Sequence, residues 1–213
     1  MRRARWFRET FRIGPDTKIL DLGSESGDNI SSVLDGLSYE PSNIYIADID
    51  DEAVSRGADR FGFVPVILGE QSLIPFDDGF FDIVFCSSVI EHVTVEKTEV
   101  WEIRDARRFD EIAGAAQKRF ADEIRRVGKG YFVQTPARSF PIESHSWLPF
   151  AGQLPRRLLL PVLKLTNRFW IKRTIPDFAL LSPRELAAYF PDAELRSERF
   201  WGLEKSVTAI KTN

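Results

Sequence analysis

The chain is short of the residues that staple small proteins or anchor membrane proteins. Among its 213 residues there is one cysteine, Cys86, which excludes a disulfide framework and a cysteine-rich zinc site and fits a reducing compartment. Cys86 closes an apolar run and reads as a small core residue. No stretch approaches the roughly 18 consecutive apolar residues that a membrane-spanning helix needs. There is no internal repeat and no low-complexity tract. The first segment, Met1–Arg12 (MRRARWFRETFR), lacks the apolar stretch of a secretory signal. It reads as a helix packed on the domain, and a cytoplasmic location is expected.

What is present supports a core. A hydrophobic content of 43% with 12% aromatics excludes a disordered chain. A globular chain of this length buries about 70% of its unfolded surface, so one domain spanning residues 1–213 is expected. The net charge of −3 is unevenly placed. Between Ser144 and Pro176 there are six basic residues (Arg156, Arg157, Lys164, Arg168, Lys172, Arg173) and no acid. The first twelve residues hold five arginines against Glu9. Taking away these six and four net positive charges leaves −13 for the remainder. The body is acidic, with a basic leading end and a basic segment.

Short apolar runs alternate with helical stretches. Lys18–Gly23, Asn43–Asp48, Phe63–Leu68, Phe81–Ser87 and Gly130–Thr135 read as strands. Pro65 assigns the third to an edge or an irregular position. Asp28–Leu37 and Asp51–Arg60 read as helices, as does a long region from about Glu96 to Val127 with a break near Gly114. A helix over Ser182–Phe190 starts with a Ser cap and Pro183. Ala193–Phe200 and Lys205–Lys211 then form an antiparallel hairpin around Gly202. The expected class is α/β: a Rossmann-like, seven-stranded, mostly parallel sheet with helices on both faces and a C-terminal antiparallel β-hairpin.

The first strand runs into Asp21-Leu22-Gly23-Ser24-Glu25-Ser26-Gly27-Asp28. Glycines here let a ligand approach the backbone. The dinucleotide fingerprint G-x-G-x-x-G is broken, because Glu25 and Asp28 stand where its second and third glycines would be. That counts against an NAD-dependent oxidoreductase. A pyrophosphate would meet Glu25 unfavourably, whereas a cationic ligand would not.

These residues resemble those of class I S-adenosylmethionine-dependent methyltransferases, of the type 11 group, over nearly the whole chain. Asp21-x-Gly23-x-x-x-Gly27 is similar to the cofactor loop, and Asp48, 21 residues beyond Gly27, to the acid that holds the ribose hydroxyls. Glu70 in GEQSLIPFDDGFFD resembles the acid near the adenine amino group. Ile74-Pro75-Phe76, Phe81-Asp82, SSVIEHV (Ser87–Val93) and EIRRVGKG (Glu123–Gly130) resemble further family motifs. The resemblance implies S-adenosyl-L-methionine as cofactor, held by Asp21, Gly23, Ser24, Gly27, Asp48, Ile49, Glu70, Gln71 and Ser87, with no metal. The family's middle glycine is Glu25 here, which either faces solvent or meets the ammonium of the cofactor.

Methylating an alcohol needs a base. The chain has two histidines, His92 and His145. His145 lies in Thr135–Phe150, similar to a segment of bacterial methyltransferases that build glycans, and is the first candidate base. Glu143 is a weaker one, and His92 is the second histidine. Each could equally be a structural hydrogen-bonding residue. The resemblance makes residues 136–181 a cap on the substrate side. Three prolines, Pro149, Pro155 and Pro161, are expected to break its basic part into short helices. The expected acceptor is a sugar, a glycan precursor or another small polar molecule. The alternatives are a lipid or lipid-linked acceptor, with peripheral membrane contact through residues 147–173 at the inner face of the membrane, or cofactor binding without catalysis. No nucleic-acid motif is present.

Overall fold

The computed structural model describes residues 2–69, 73–96, 98–142 and 146–212. Its centre is a seven-stranded sheet of β1 (Ile19–Leu22), β2 (Ile44–Asp48), β3 (Val64–Ile67), β4 (Phe81–Ser87), β5 (Gly128–Pro136), β6 (Glu194–Phe200) and β7 (Leu203–Lys211). The spatial order is β3-β2-β1-β4-β5-β7-β6. The first five strands run parallel, and β7 enters antiparallel between β5 and β6. Pro65 sits in edge strand β3, where its missing N–H breaks no central ladder.

Two-residue periodicity sends alternate side chains to opposite faces. Ile19, Ile83, Phe85 and Phe132 meet α1 (Arg2–Thr10), α2 (Asp28–Leu34) and α3 (Asp51–Phe61) on one face. Leu20, Val84, Cys86, Tyr131 and Val133 meet α4 (Ala106–Val127) and a short C-terminal helix on the other. Cys86 is buried there, as its sequence context implies. The leading helix is tied down: Phe7 is buried with its ring edge-on to Phe85 and Phe132, at 5.2 and 5.6 Å. Arg8 donates to the carbonyls of Val33 and Ser32 at 2.7 and 3.0 Å.

Two expectations fail. The long helix does not break at Gly114, and it begins only at Ala106, with turns before it. Its amphipathic face, through Phe109, Ala113, Phe120 and Ile124, carries it across the glycine. The small residue there admits Tyr189, whose hydroxyl donates to the Gly114 carbonyl at 3.2 Å. Pro161 likewise lies inside α5 (Arg156–Thr166). One backbone bond is lost, but burial of Leu159, Leu160 and Leu163 holds the helix together.

Residues 137–142 and 146–181 fold over the carboxyl edge of the sheet as loops around α5, with a small core of Ala151, Leu159, Leu163 and Phe178. Arg156 anchors this segment. It is buried, lies 3.5 Å over the Phe109 ring, and donates to the carbonyls of Ile103, Pro176 and Val100. Burial pulls its pKa down to about 10. The helix α6 (Pro183–Tyr189) follows, with a capping box in which Ser182 and Glu185 satisfy each other's backbone amides.

Gly57 is required for space rather than conformation. A Cβ on Gly57 of α3 would lie 2.3 Å from the Ser26 carbonyl oxygen. Helix propensity favours Gly57→Ala by about 1 kcal/mol, but overpacking against backbone costs about 1–3 kcal/mol. Urea unfolding should therefore show Gly57→Ala to be less stable than wild type; a gain in stability would mean that the turn does not rest on α3.

Candidate functional site

The carboxyl ends of β1, β2 and β4 converge, as the ligand-binding edge of an open α/β sheet does. After β1 the backbone turns through three left-handed residues, Gly23, Glu25 and Gly27, at φ 74, 50 and 74°. At the middle position, Glu25, a side chain in this conformation costs about 1 kcal/mol or more. The Glu25 side chain is exposed. Gly23 N donates to the Ala47 carbonyl at 2.8 Å, which holds the turn against β2.

Gly23 also faces the loop after β4. A Cβ there would stand 2.4 Å from a Val89 methyl carbon, so only glycine lets the two loops touch. The Asp48 carboxylate fastens the third side. Its Oδ2 accepts from Glu25 N at 2.8 Å, and its Oδ1 accepts from Ile49 N and Asp50 N at 2.7 and 3.2 Å. The Ile49 side chain stands exposed beside it. Asp50 caps α3 by accepting from Ala53 N at 3.0 Å.

Asp21 lies beneath this turn with 2% of its surface exposed. Its Oδ2 has no hydrogen-bond partner. Burial pushes its pKa up to about 7, and the neighbouring Asp48 charge adds to the rise. The Ser24 hydroxyl beside it offsets part of that rise without forming a hydrogen bond of normal geometry. A buried acid that ionises near neutrality suits a ligand bearing positive charge. The glycine turn, the acceptor Asp48 and this carboxyl together fit a cationic nucleoside-type ligand.

Ser87 closes the β4 side, and the leading helix contributes an unforeseen cation. Arg3 Nη1 donates to Ser87 Oγ and to Gln134 Oε1, both at 2.7 Å. Ser87 Oγ donates in turn to Gln134 Oε1 at 2.9 Å. The basic leading end is thus partly a wall of the site. Nothing local to Arg3 signals this, because its partners lie 84 and 131 residues away.

His92 follows on the turn after Ser88, its amide donating to the Val89 carbonyl at 2.8 Å. Its Nδ1 lies 3.3 Å from Asp177 Oδ1. The Thr94 hydroxyl donates to the Asp177 carbonyl at 2.8 Å, fixing the acid. This pairing of the β4 loop with the end of the cap has no sequence signal. The structure brings together Asp21, Gly23, Ser24, Gly27, Asp48, Ile49 and Ser87 at the strand ends, and His92 lies on the loop that follows Ser87. Glu70, Gln71, Glu143 and His145 lie outside the described residues. A cleft of about 360 Å³ between α4, the cap and α6, lined by Gln117, Arg156 and Tyr189, lies apart from the glycine turn.

Comparison with known proteins agrees with this geometry. The methyltransferase domain family model matches residues 20–133, more than half of the chain. Among solved structures, a Haloferax volcanii partner of the methyltransferase activator Trm112 is 13% identical with a TM-score of 0.59, over 97% of this chain and 87% of that one. A SAM-dependent methyltransferase of Methanosarcina mazei is 16% identical with a TM-score of 0.58, over 96% and 94% of the two chains. One from Aquifex aeolicus is 16% identical with a TM-score of 0.51, over 98% and 88%. These likenesses show the same fold. A search of curated proteins returns no match.

Asp21 generates a pH test. Its pKa is raised in the folded state, so the stability linked to its proton is present at low pH and lost as pH rises from about 4 through about 7. Asp21→Asn has no such titration. Thermal unfolding should show the variant melting above wild type at pH 8, with the gap closing between pH 7 and 4. A constant gap would mean that Asp21 is ionised throughout.

Proposed function

Because the chain belongs to the methyltransferase domain family, we propose that it moves a methyl group from S-adenosylmethionine to a hydroxyl oxygen of a sugar, a glycan precursor or a similar small polar acceptor. The observation that carries the reading is the joining of the glycine turn, Asp48 and the buried Asp21 at one sheet edge. When bound, S-adenosylmethionine supplies an electrophilic methyl group on a positively charged sulfur.

The chain's residues divide the work by charge. Asp48 presents carboxylate oxygens with lone pairs left for ribose hydroxyls, and the exposed Ile49 offers apolar surface to the adenine. Asp21 supplies negative charge beneath the turn, where burial strengthens its attraction for a cation. Arg3 places a positive charge at the ends of β4 and β5, suited to the methionine carboxylate. Gly23 and Gly27 keep the backbone clear of side chains. Glu70 and Gln71 extend this set toward the adenine by resemblance to the family motif.

His92 is the proposed base. Asp177 at Nδ1 orients the ring and steadies the imidazolium that forms when His92 takes the acceptor's proton. His145 is the other candidate, from its resemblance to glycan-building methyltransferases. An acceptor oxygen made nucleophilic in this way needs positioning and exclusion of water, the role we assign to the cap.

Transfer of labelled methyl from S-adenosylmethionine to a panel of sugars and nucleotide sugars tests the reading. His92→Ala should lower turnover by about 10²–10⁴-fold with donor affinity unchanged. Asp177→Asn should lower it less and shift the pH profile. Full turnover by His92→Ala transfers the base role to His145, for which His145→Ala is the matching test; full turnover in both removes histidine from the mechanism.

A further inference from the structure

The cap turns an unusual face outward. Its helix α5 buries Leu159, Leu160 and Leu163, yet Leu158 and Leu165 are exposed on its outer side. Arg157 and Lys164 are exposed along the same side. A spacing of seven places Leu158 with Leu165 and Arg157 with Lys164 on one helical stripe. Just past the helix end, Arg168, Phe169 and Ile171 are also exposed, the last two by 69% and 88%. Trp147 and Phe150 stand out from the preceding loop, held by Trp170 Nε1 donating to the Ser146 carbonyl and by Phe150 N donating to the Pro141 carbonyl, at 2.9 and 2.6 Å.

A second protrusion reaches the same edge. The tip of the β6–β7 hairpin carries Phe200, Trp201 and Leu203, with Trp201 90% exposed. Ala137, where the cap begins, donates its amide to the Lys205 carbonyl at 2.9 Å. The tip therefore overhangs the carboxyl edge of the sheet next to the cap. Apolar side chains of the cap and of a hairpin tip joined to its start thus stand exposed in greater number than scattered surface residues require.

We propose that the outer face of the cap and the β6–β7 tip form one docking surface for an anionic phospholipid bilayer. Charge selects this occupant. Residues 146–176 contain six cations and no acid, whereas the rest of the chain is acidic. Among the described residues, Arg157, Lys164, Arg168 and Arg173 make no salt bridge. A second copy of so basic a face would repel the first. Anionic headgroups complement the cations, and the headgroup boundary accepts aromatic and leucine side chains at unequal heights. No described helix is long and apolar enough to cross a membrane, so the contact is with the surface. The docking turns the edge bearing Asp21, Asp48 and His92 toward the bilayer. Resting on the function proposed above, it selects the lipid-linked form of the acceptor.

Flotation with phosphatidylcholine vesicles, with and without phosphatidylglycerol, tests the surface. Wild type should float with the anionic vesicles at low salt and remain behind with neutral vesicles or at high salt. Arg168→Gln with Arg173→Gln should lower partitioning about fivefold per charge. Phe200→Ser with Trp201→Ser should lower it about tenfold or more. Titration with S-adenosylmethionine separates the two readings. The variants should bind the donor like wild type, which shows that they fold, and vesicle binding without donor binding would overturn only the function proposed above. Absence of flotation at low salt overturns the docking surface. So does self-association in sedimentation velocity that depends on Trp201 while vesicles are ignored, since the face would then belong to a second copy.

Discussion

Three backbone approaches around residues 23–27 set the terms for the rest of the molecule. The turn lies against Val89 at Gly23, against α3 at Gly57 and against Asp48 through the Glu25 amide. Each contact is closer than a Cβ or a longer side chain would allow, or needs an amide aimed at one carboxylate. Together they fix the ends of β1, β2 and β4 within one small region. Asp21 is buried by the same packing, and its raised pKa is a consequence of that burial. The left-handed Glu25 is the one place where strain is accepted in the turn.

Charge is divided along the same lines. Acids stand at the ends of β1 and β2, where a cationic donor fits. Cations stand at the ends of β4 and β5 and over the cap. Arg3 and Arg156 both enter the structure, and they do so differently. Arg3 joins a polar cluster with Ser87 and Gln134 at the site, whereas Arg156 is spent on backbone carbonyls and holds the cap to the segment before α4. The net charge of −3 conceals this arrangement.

The sheet was legible because its strands are local patterns. β1, β2, β4 and β5 are short apolar runs, Pro65 announced an edge, and Gly202 announced the hairpin. The glycine turn was legible for the same reason, since Asp21, Gly23, Gly27 and Asp48 stand at fixed spacing. Helix interruptions were misread where burial outweighs propensity: Gly114 and Pro161 both sit inside helices whose apolar faces are well covered. The partners of Arg3, Gly57 and His92 were not legible at all. Arg3 meets Ser87, Gly57 meets Ser26, and His92 meets Asp177, and each pair is joined only by the crossing of distant segments. The cap's outward face was legible as a composition of cations and aromatics. Its continuation onto the hairpin tip needed the antiparallel return of β7 beside β5.

Calorimetric titration with S-adenosylmethionine, for wild type and for Asp48→Ala, tests the donor site most directly. Binding of one equivalent by wild type, lost in a variant that still unfolds cooperatively, is the predicted result. No binding by wild type, or equal affinity in Asp48→Ala, would contradict the assignment of this sheet edge to the methyl donor.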